Sequence, residues 1–458
     1  MKLFDAIIIG FGKAGKTLAT ELADRGWKVA IIERSNRMYG GNCPNTACIP
    51  TKVLVNEAHI SSILTHGNET KQAKQYQQAI ARKNKLTSFL RDGFYEKLNK
   101  HPNITIFTGH GSFVSANVIK VSLPDEEIEL QGKEIFINTG SVPILPAIDG
   151  LRESKRIYTS ATLLEEDILP RHLIIIGSGY IGLEFASMYA DFGSKVTILE
   201  TGNTFIPYED RDIAASVKEV IELRKGVNIQ MNARVQAIHD ISDGVTVAYT
   251  DASDGTPYFI EGDAVLVATG RKPMIDGLNL AAAGVKTDAH GAIVVNTYLH
   301  TTVPHIWAMG DVKGGPQFTY ISLDDYRIIR DYLFGDKHRT TEDRPPIPYS
   351  VFIDPPLAHI GITEEEALKK GYDIKVTRLS ASSIVRARTL QQPDGMLKAV
   401  INNHTGKIIG CTLFCAEASE LINIIALAMK TGIDYKLLRD FIFIHPSMSE
   451  ALNDLFNV

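Results

Sequence analysis

DAIIIGFGKAGKTLATELADRGWKVAIIE, residues 5–33, and HLIIIGSGYIGLEFASMYADFGSKVTILE, residues 172–200, are two copies of one pattern set 167 positions apart. Each copy runs from a short β-branched strand through G-x-G-x-x-G into a helix with apolar periodicity. Each then ends in a Lys-Val-x-Ile strand closed by a glutamate. That is a βαβ unit of about 30 residues, present twice. The residue types suit a dinucleotide. Gly10 and Gly177 permit the tight turn, Gly12 and Gly179 let the backbone approach a pyrophosphate, and Gly15 and Gly182 let helix and strand pack closely. The helix start offers free N–H groups to phosphates. Glu33 and Glu200, each 18 residues past the last glycine, are placed to accept bonds from ribose hydroxyls.

Outward from these units, residues 56–100 read as long polar helices. Residues 104–140 read as short strands ending in the turn Ile137–Gly140, which the segment Ala268–Pro273 matches. Pro345, Pro346 and Pro348 mark a linker. Beyond it the pattern predicts strands at Ser350–Phe352, Lys375–Leu379, Leu397–Asn402 and Ile408–Phe414, then helices from Ala418 to Arg439. This tail reads as an α+β domain with an antiparallel sheet.

The bulk figures set limits. A chain of 458 residues accommodates roughly three domains, and 44% hydrophobic with 22% charged residues is an ordinary globular balance. A net charge of −5 and the lack of a basic run with interleaved aromatics give nucleic-acid binding no support. No stretch approaches 18 apolar residues, and the apolar run at Ala6–Ile9 is short for a signal peptide, so the expectation is a cytoplasmic protein with no membrane partner.

Four cysteines, Cys43, Cys48, Cys411 and Cys415, are too sparse for a secreted disulfide scaffold. Cys43 and Cys48 lie in GGNCPNTACIPTK, residues 40–52. In an ideal helix a five-residue spacing separates Cα atoms by roughly 8–9 Å, whereas a disulfide wants under about 7 Å. A bridge therefore requires a distorted helix start, and Pro44 is expected to supply it. The rival readings are two buried thiols or a metal site. The spacing is not a zinc spacing, and no metal is expected. Cys411 and Cys415 lie about 13 Å apart along one expected strand and read as buried structural thiols.

With T-V-P-H-I-W-A-M-G-D (Thr302–Asp311) and H-P-S-M-S-E (His445–Glu450) added, essentially the whole chain resembles the class I pyridine nucleotide–disulfide oxidoreductases, the group of glutathione reductase, lipoamide dehydrogenase and mercuric reductase. The resemblance implies an α/β protein with two Rossmann-like domains. It places FAD on residues 1–140 and 271–344, NAD(P)H on 141–270, and a dimerisation domain on 345–458. It implies that Gly10, Gly12, Gly15, Glu33, Lys52, Thr139, Gly140, Gly270, Gly310 and Asp311 serve FAD. Gly177, Gly179, Gly182 and Glu200 would serve the nicotinamide cofactor. Cys48 would face the flavin and Cys43 would meet substrate, with Lys52 paired to Glu184. His445, oriented by Glu450, would be the acid–base of the other subunit's site in a homodimer. Glu200 without an arginine before Arg211 predicts NADH over NADPH.

Asn42, Ala47 and Thr51 depart from the group's usual disulfide segment, and no extra C-terminal thiol pair is present. Gln317–Ile328, Met38–Gly41, Ile347–Phe352 and Ile442–Phe456 resemble the reactive-chlorine-resistance flavoproteins of bacteria, the RclA type. That resemblance implies a small-molecule oxidant, hypothiocyanous acid foremost, in defence against hypohalous stress. Cu(II) reduction and dihydrolipoamide oxidation are the alternative enzymatic readings. A non-catalytic flavin redox sensor is the reading from another class.

Overall fold

The structure, a computed structural model, describes every residue except His66, which falls inside the expected helical stretch 56–100. The chain divides into two compact units. The first comprises Met1–Val53, Ile80–Ile144 and Gly270–Arg344, and the second Leu54–Ala79, Leu145–Thr269 and Pro345–Val458.

In the first unit the strand Lys2–Ile9 runs parallel to Val29–Glu33 on one side and Glu127–Ile137 on the other. Ile104–Thr108 and Ile306–Ala308 extend the parallel set. Ile7, Ile8, Val29, Ala30 and Ile31 are wholly buried, as parallel strands covered on both faces must be. Helix Lys13–Asp24 covers one face through Ala14, Leu18, Ala19 and Leu22, in a cluster shared with Ile328 and Ile329 of helix Thr319–Phe334. The hairpin strands His110–Ser115 and Val118–Ser122 contribute Phe113, Ile119 and Val121 to a separate core.

The second unit repeats the motif. His172–Ile176 lies parallel between Lys195–Leu199 and Ala264–Val267, with helix Tyr180–Phe192 following its turn. The two turns match closely: Gly10 and Gly177 hold φ of 103° and 105°, and Gly12 and Gly179 are both extended at φ −65°. Such positive φ is cheap only for glycine. An antiparallel meander, Ala233–Ile241, Gly244–Asp251 and Pro257–Gly262, also belongs to this unit. So does a five-stranded antiparallel sheet in the order 349–351, 357–361, 408–414, 396–402, 374–380, with helix Ala418–Thr431. Leu357–Gly361 was not among the strands expected from sequence. It is short and follows Pro355 and Pro356, which mask it, yet Ala358 and Ile360 are buried in the tail's core. Residues 54–79, read from sequence with the first domain, pack in the second unit, where the Tyr76 hydroxyl meets that of Tyr189 at 3.0 Å.

Asn138, 5% exposed, ties the first unit's turn together. Its Oδ1 accepts the Gly15 amide at 2.9 Å, its Nδ2 donates to the Met309 carbonyl at 2.7 Å, and its own amide reaches the Ile9 carbonyl at 2.7 Å. Asn138→Ala leaves a buried donor and a buried acceptor unmet. The expected loss is about 2–4 kcal/mol of unfolding free energy in urea titration. A loss below about 0.5 kcal/mol would show that Asn138 does not hold the turn.

Candidate functional site

Cys43 and Cys48 occupy two consecutive helices, Asn42–Thr46 and Cys48–Thr65. The helix start is distorted, as a close pair requires, but not at Pro44. Pro44 sits in the first turn of the short helix, where its missing N–H costs nothing. The break falls at Ala47, whose φ and ψ of −138° and −106° are non-helical. Both sulfurs are half-buried, and hydrogen bonding between them shifts the two in opposite directions. That bond holds Cys48 down to about 6 against the opposing effect of burial, helped by the Thr319 hydroxyl, 3.5 Å away, and the charge of Lys52. Cys43 is pushed up by the same bond and by burial. The two sulfurs titrate as a pair, and Cys48 stands at a helix start where the macrodipole favours its thiolate.

Around this pair the first unit carries a polar hub. The Arg271 guanidinium donates to the Ser141 hydroxyl at 2.9 Å and to its carbonyl at 2.7 Å. That hydroxyl donates to the Asp311 carboxylate at 2.7 Å, and the Asn42 amide reaches the same carbonyl at 3.0 Å. Asp311 is held by Gly310, whose amide donates to buried Asp325 at 2.6 Å. Thr139 donates to the Met274 carbonyl at 2.6 Å, and the Gly270 carbonyl accepts the Ile144 amide at 3.0 Å. A Cβ at Gly140 would meet only the Asn42 Nδ2, at 3.5 Å, but its φ of 74° favours glycine. Sequence reading missed Asn138, Ser141, Arg271, Thr319 and Asp325. Asn138, Arg271, Thr319 and Asp325 lay in quoted segments, but nothing in the pattern told what their side chains touch.

The glycine turns fit dinucleotides in different ways. A Cβ at Gly179 would meet nothing within 4 Å, leaving the close approach a pyrophosphate uses. A Cβ at Gly12 would strike the Asn138 Oδ1 at 2.5 Å, so that glycine also serves packing. Gly15 and Gly182 are required by the carbonyls of Gly10 and Gly177, at 2.8 and 2.1 Å from any Cβ. Glu33 accepts the amides of Phe11 at 3.2 Å and Ser35 at 3.3 Å. Burial raises its carboxyl to about 7. Glu200 accepts from the Ser178 amide and hydroxyl and from the Gly202 amide at 2.7–2.8 Å. Burial would raise it, but these bonds leave it below the usual range.

Lys52 belongs to the first unit, one helical turn past Cys48. Glu184 is buried in the second, its carboxylate accepting the Phe352 amide at 2.9 Å. In the second unit His445 Nδ1 stands 2.9 Å from both Glu450 oxygens, and its side chain is 65% exposed. Ile442 and Ile444, just before it in the chain, are exposed. Cys411 and Cys415 are fully buried with thiols pushed up by burial. Among the described residues no acidic, cysteine or histidine group is arranged to hold a metal, and no helix is long and apolar enough to cross a membrane.

Two glycine turns, a cysteine pair at a helix break and an exposed histidine on a carboxylate define a class, and the chain belongs to it. Residues 4–325 match the pyridine nucleotide-disulphide oxidoreductase family, and residues 347–456 match that family's dimerisation domain. The chain is 47% identical over 458 residues, all of both chains, to the probable pyridine nucleotide-disulfide oxidoreductase RclA of Escherichia coli strain K12. It is 33% identical to the mercuric reductase of Lysinibacillus sphaericus, over 98% of this chain and 81% of that one. A solved Cu(II) complex of the HOCl-induced flavoprotein disulfide reductase RclA from Escherichia coli superposes with a TM-score of 0.93 at 46% identity, covering 100% of this chain and 99% of that one. The protein is therefore a flavoprotein oxidoreductase of the FAD- and pyridine-nucleotide-dependent type.

Glu33 gives a pH test on the cofactor-free protein. Its carboxyl is raised in the fold to about 7 from 4.5. The fold prefers the neutral form, so this contribution is full below about 4.5 and lost as pH rises towards about 7, by at most about 3 kcal/mol. Glu33→Gln removes that slope. Urea titration from pH 4.5 to 8 should show a flatter profile for the variant, and identical profiles would contradict the burial of a neutral Glu33.

Proposed function

We propose that this protein uses NADH to reduce a small electrophilic oxidant, hypothiocyanous acid foremost, in defence against reactive chlorine species. The observation that carries the reading is the cysteine pair: Cys43 and Cys48 lie half-buried on two helices broken at Ala47, with Cys48 at a helix start and the Thr319 hydroxyl 3.5 Å from its sulfur. The likeness to RclA, whose solved relative is described as HOCl-induced, supports the stress role.

When bound, FAD supplies two-electron exchange between nicotinamide and disulfide. The turns at Gly10, Gly12 and Gly15 and at Gly177, Gly179 and Gly182 would receive the two dinucleotides, with Glu33 and Glu200 serving their riboses. Thr139, Gly140, Gly270, Gly310 and Asp311 would complete the flavin side, with Lys52 and Glu184 in the roles the family resemblance implies. Cys48 would face the flavin and Cys43 the oxidant. In a homodimer the partner's His445, its tautomer fixed by Glu450, exchanges the proton of Cys43. The Cys43 thiolate attacks the sulfur of hypothiocyanous acid and expels hydroxide, which takes a proton from that imidazolium and leaves as water. The Cys48 thiolate then attacks the Cys43 sulfur, forms the disulfide and releases thiocyanate. Two electrons pass from the dithiol to the product, and NADH restores them. The ionised carboxylate of Glu200 favours NADH, because a 2′-phosphate would meet its negative charge.

Cu(II) reduction is the second reading, favoured by the Cu(II) bound to the solved relative. Steady-state kcat/KM for hypothiocyanous acid, Cu(II) and lipoamide, with NADH and with NADPH, separates these readings. The expected result is hypothiocyanous acid as the best oxidant by at least about tenfold, NADH as the better donor, and no hypothiocyanous acid turnover in Cys43→Ser, which lacks the attacking thiolate. Greater efficiency with Cu(II) or lipoamide would overturn the substrate, and equal use of NADPH would overturn the role of Glu200.

A further inference from the structure

The two βαβ units share one motif, yet they hold their closing glutamates differently. They differ at the residue between the first two glycines. In the first unit that residue is Phe11, which offers Glu33 only its amide, at 3.2 Å, beside the Ser35 amide at 3.3 Å. In the second it is Ser178, 4% exposed. The Ser178 amide donates to Glu200 Oε2 at 2.8 Å, and the Ser178 hydroxyl donates to the same oxygen at 2.7 Å. The Gly202 amide donates to Oε1 at 2.8 Å. Both oxygens of Glu200 are therefore gripped, one of them twice.

Ser178 stands on fixed backbone. Gly177 before it holds φ of 105°, and a Cβ there would lie 2.7 Å from the Ala268 carbonyl. The hydroxyl thus meets Glu200 from a turn that cannot follow the carboxylate if it swings away. A bond from a buried hydroxyl to a charged acceptor is of the strong kind.

The consequence is electrostatic. A loosely held carboxylate turns aside when a second anion approaches and so relieves the repulsion. A gripped one cannot, and the like charge meets it undiminished. The two units differ in this respect as well: burial raises the Glu33 carboxyl to about 7, whereas the bonds to Glu200 outweigh burial and keep it ionised. FAD has no 2′-phosphorylated counterpart to reject, but NADH has one in NADPH.

We propose that the Ser178 hydroxyl is a specificity-determining group that pins the Glu200 carboxylate against the approach of a ribose 2′-phosphate and so favours NADH over NADPH. The inference deepens the proposed function and rests on its assignment of Glu200 to the nicotinamide cofactor's ribose. Ser178 acts through Glu200 and is a positioning residue.

The test is calorimetric titration of the oxidised FAD holoenzyme with ADP-ribose and with 2′-phospho-ADP-ribose. The proteins are wild type, Ser178→Ala, Ser178→Thr, Glu200→Gln and the double variant Ser178→Ala/Glu200→Gln. Ser178→Ala should bind the 2′-phosphorylated probe more tightly and narrow the ratio of the two dissociation constants by roughly tenfold. Ser178→Thr, which keeps the hydroxyl, should keep the wild-type ratio. Glu200→Gln should also narrow the ratio, and adding Ser178→Ala to it should change nothing further, because no charge is left to hold. Weaker binding of both probes to Ser178→Ala would mark a structural role and overturn the proposal. An unchanged ratio in Ser178→Ala, with a narrowed one in Glu200→Gln, would overturn the role of Ser178 and leave that of Glu200 standing. An equal effect of Ser178→Ala with and without Glu200→Gln would overturn it too, by making the hydroxyl act on the phosphate directly. An unchanged ratio in Glu200→Gln would overturn the assignment of Glu200, and the inference with it.

Discussion

The hydrogen bond from Cys43 to Cys48 exists because the helix breaks at Ala47. An uninterrupted helix would carry the two sulfurs apart by more than a disulfide spans. Broken there, the chain starts a second helix with Cys48 at its first position, so the same backbone event brings the thiols together and puts one of them at a positive helix end. The proton is then shared unequally, and the two chemically identical side chains take different roles. Much around the pair holds this short segment still: Gly40 wedged between Phe94 and Pro44, Asn42 on the Ser141 carbonyl, and Asn45 donating to the carbonyls of Tyr39 and Gly41.

The two βαβ units were legible because their function is written in backbone geometry. A glycine at φ near 105° or under a carbonyl 2–3 Å away admits no substitute, so the spacing survives as a readable pattern. The break between the cysteines was also demanded by spacing. Its location was not, because Pro44 is a plausible breaker anywhere except a first turn, and the local rule could not tell where the helix began. The strand Leu357–Gly361 was hidden for a similar reason: it owes its existence to pairing with 408–414 and 349–351, not to its own five residues.

What sequence could not show was the polar wiring. Asn138, Ser141, Arg271 and Asp325 come from separate segments and meet only in the folded unit. The substrate stands at a further remove, because a small oxidant needs a reactive sulfur more than a shaped pocket, and such specificity leaves little pattern in a chain.

The central claim is the division of labour between the two thiols, and absorbance spectroscopy of the single serine variants tests it most directly. If Cys48 is the thiolate that faces the flavin, the oxidised-flavin form of Cys43→Ser carries a long-wavelength charge-transfer band that rises with pH. Its midpoint should lie above the value of about 6 that Cys48 has with its Cys43 bond intact, because serine is a different donor. Cys48→Ser should lack the band at every pH. A band in Cys48→Ser and none in Cys43→Ser would reverse the two roles and contradict the account.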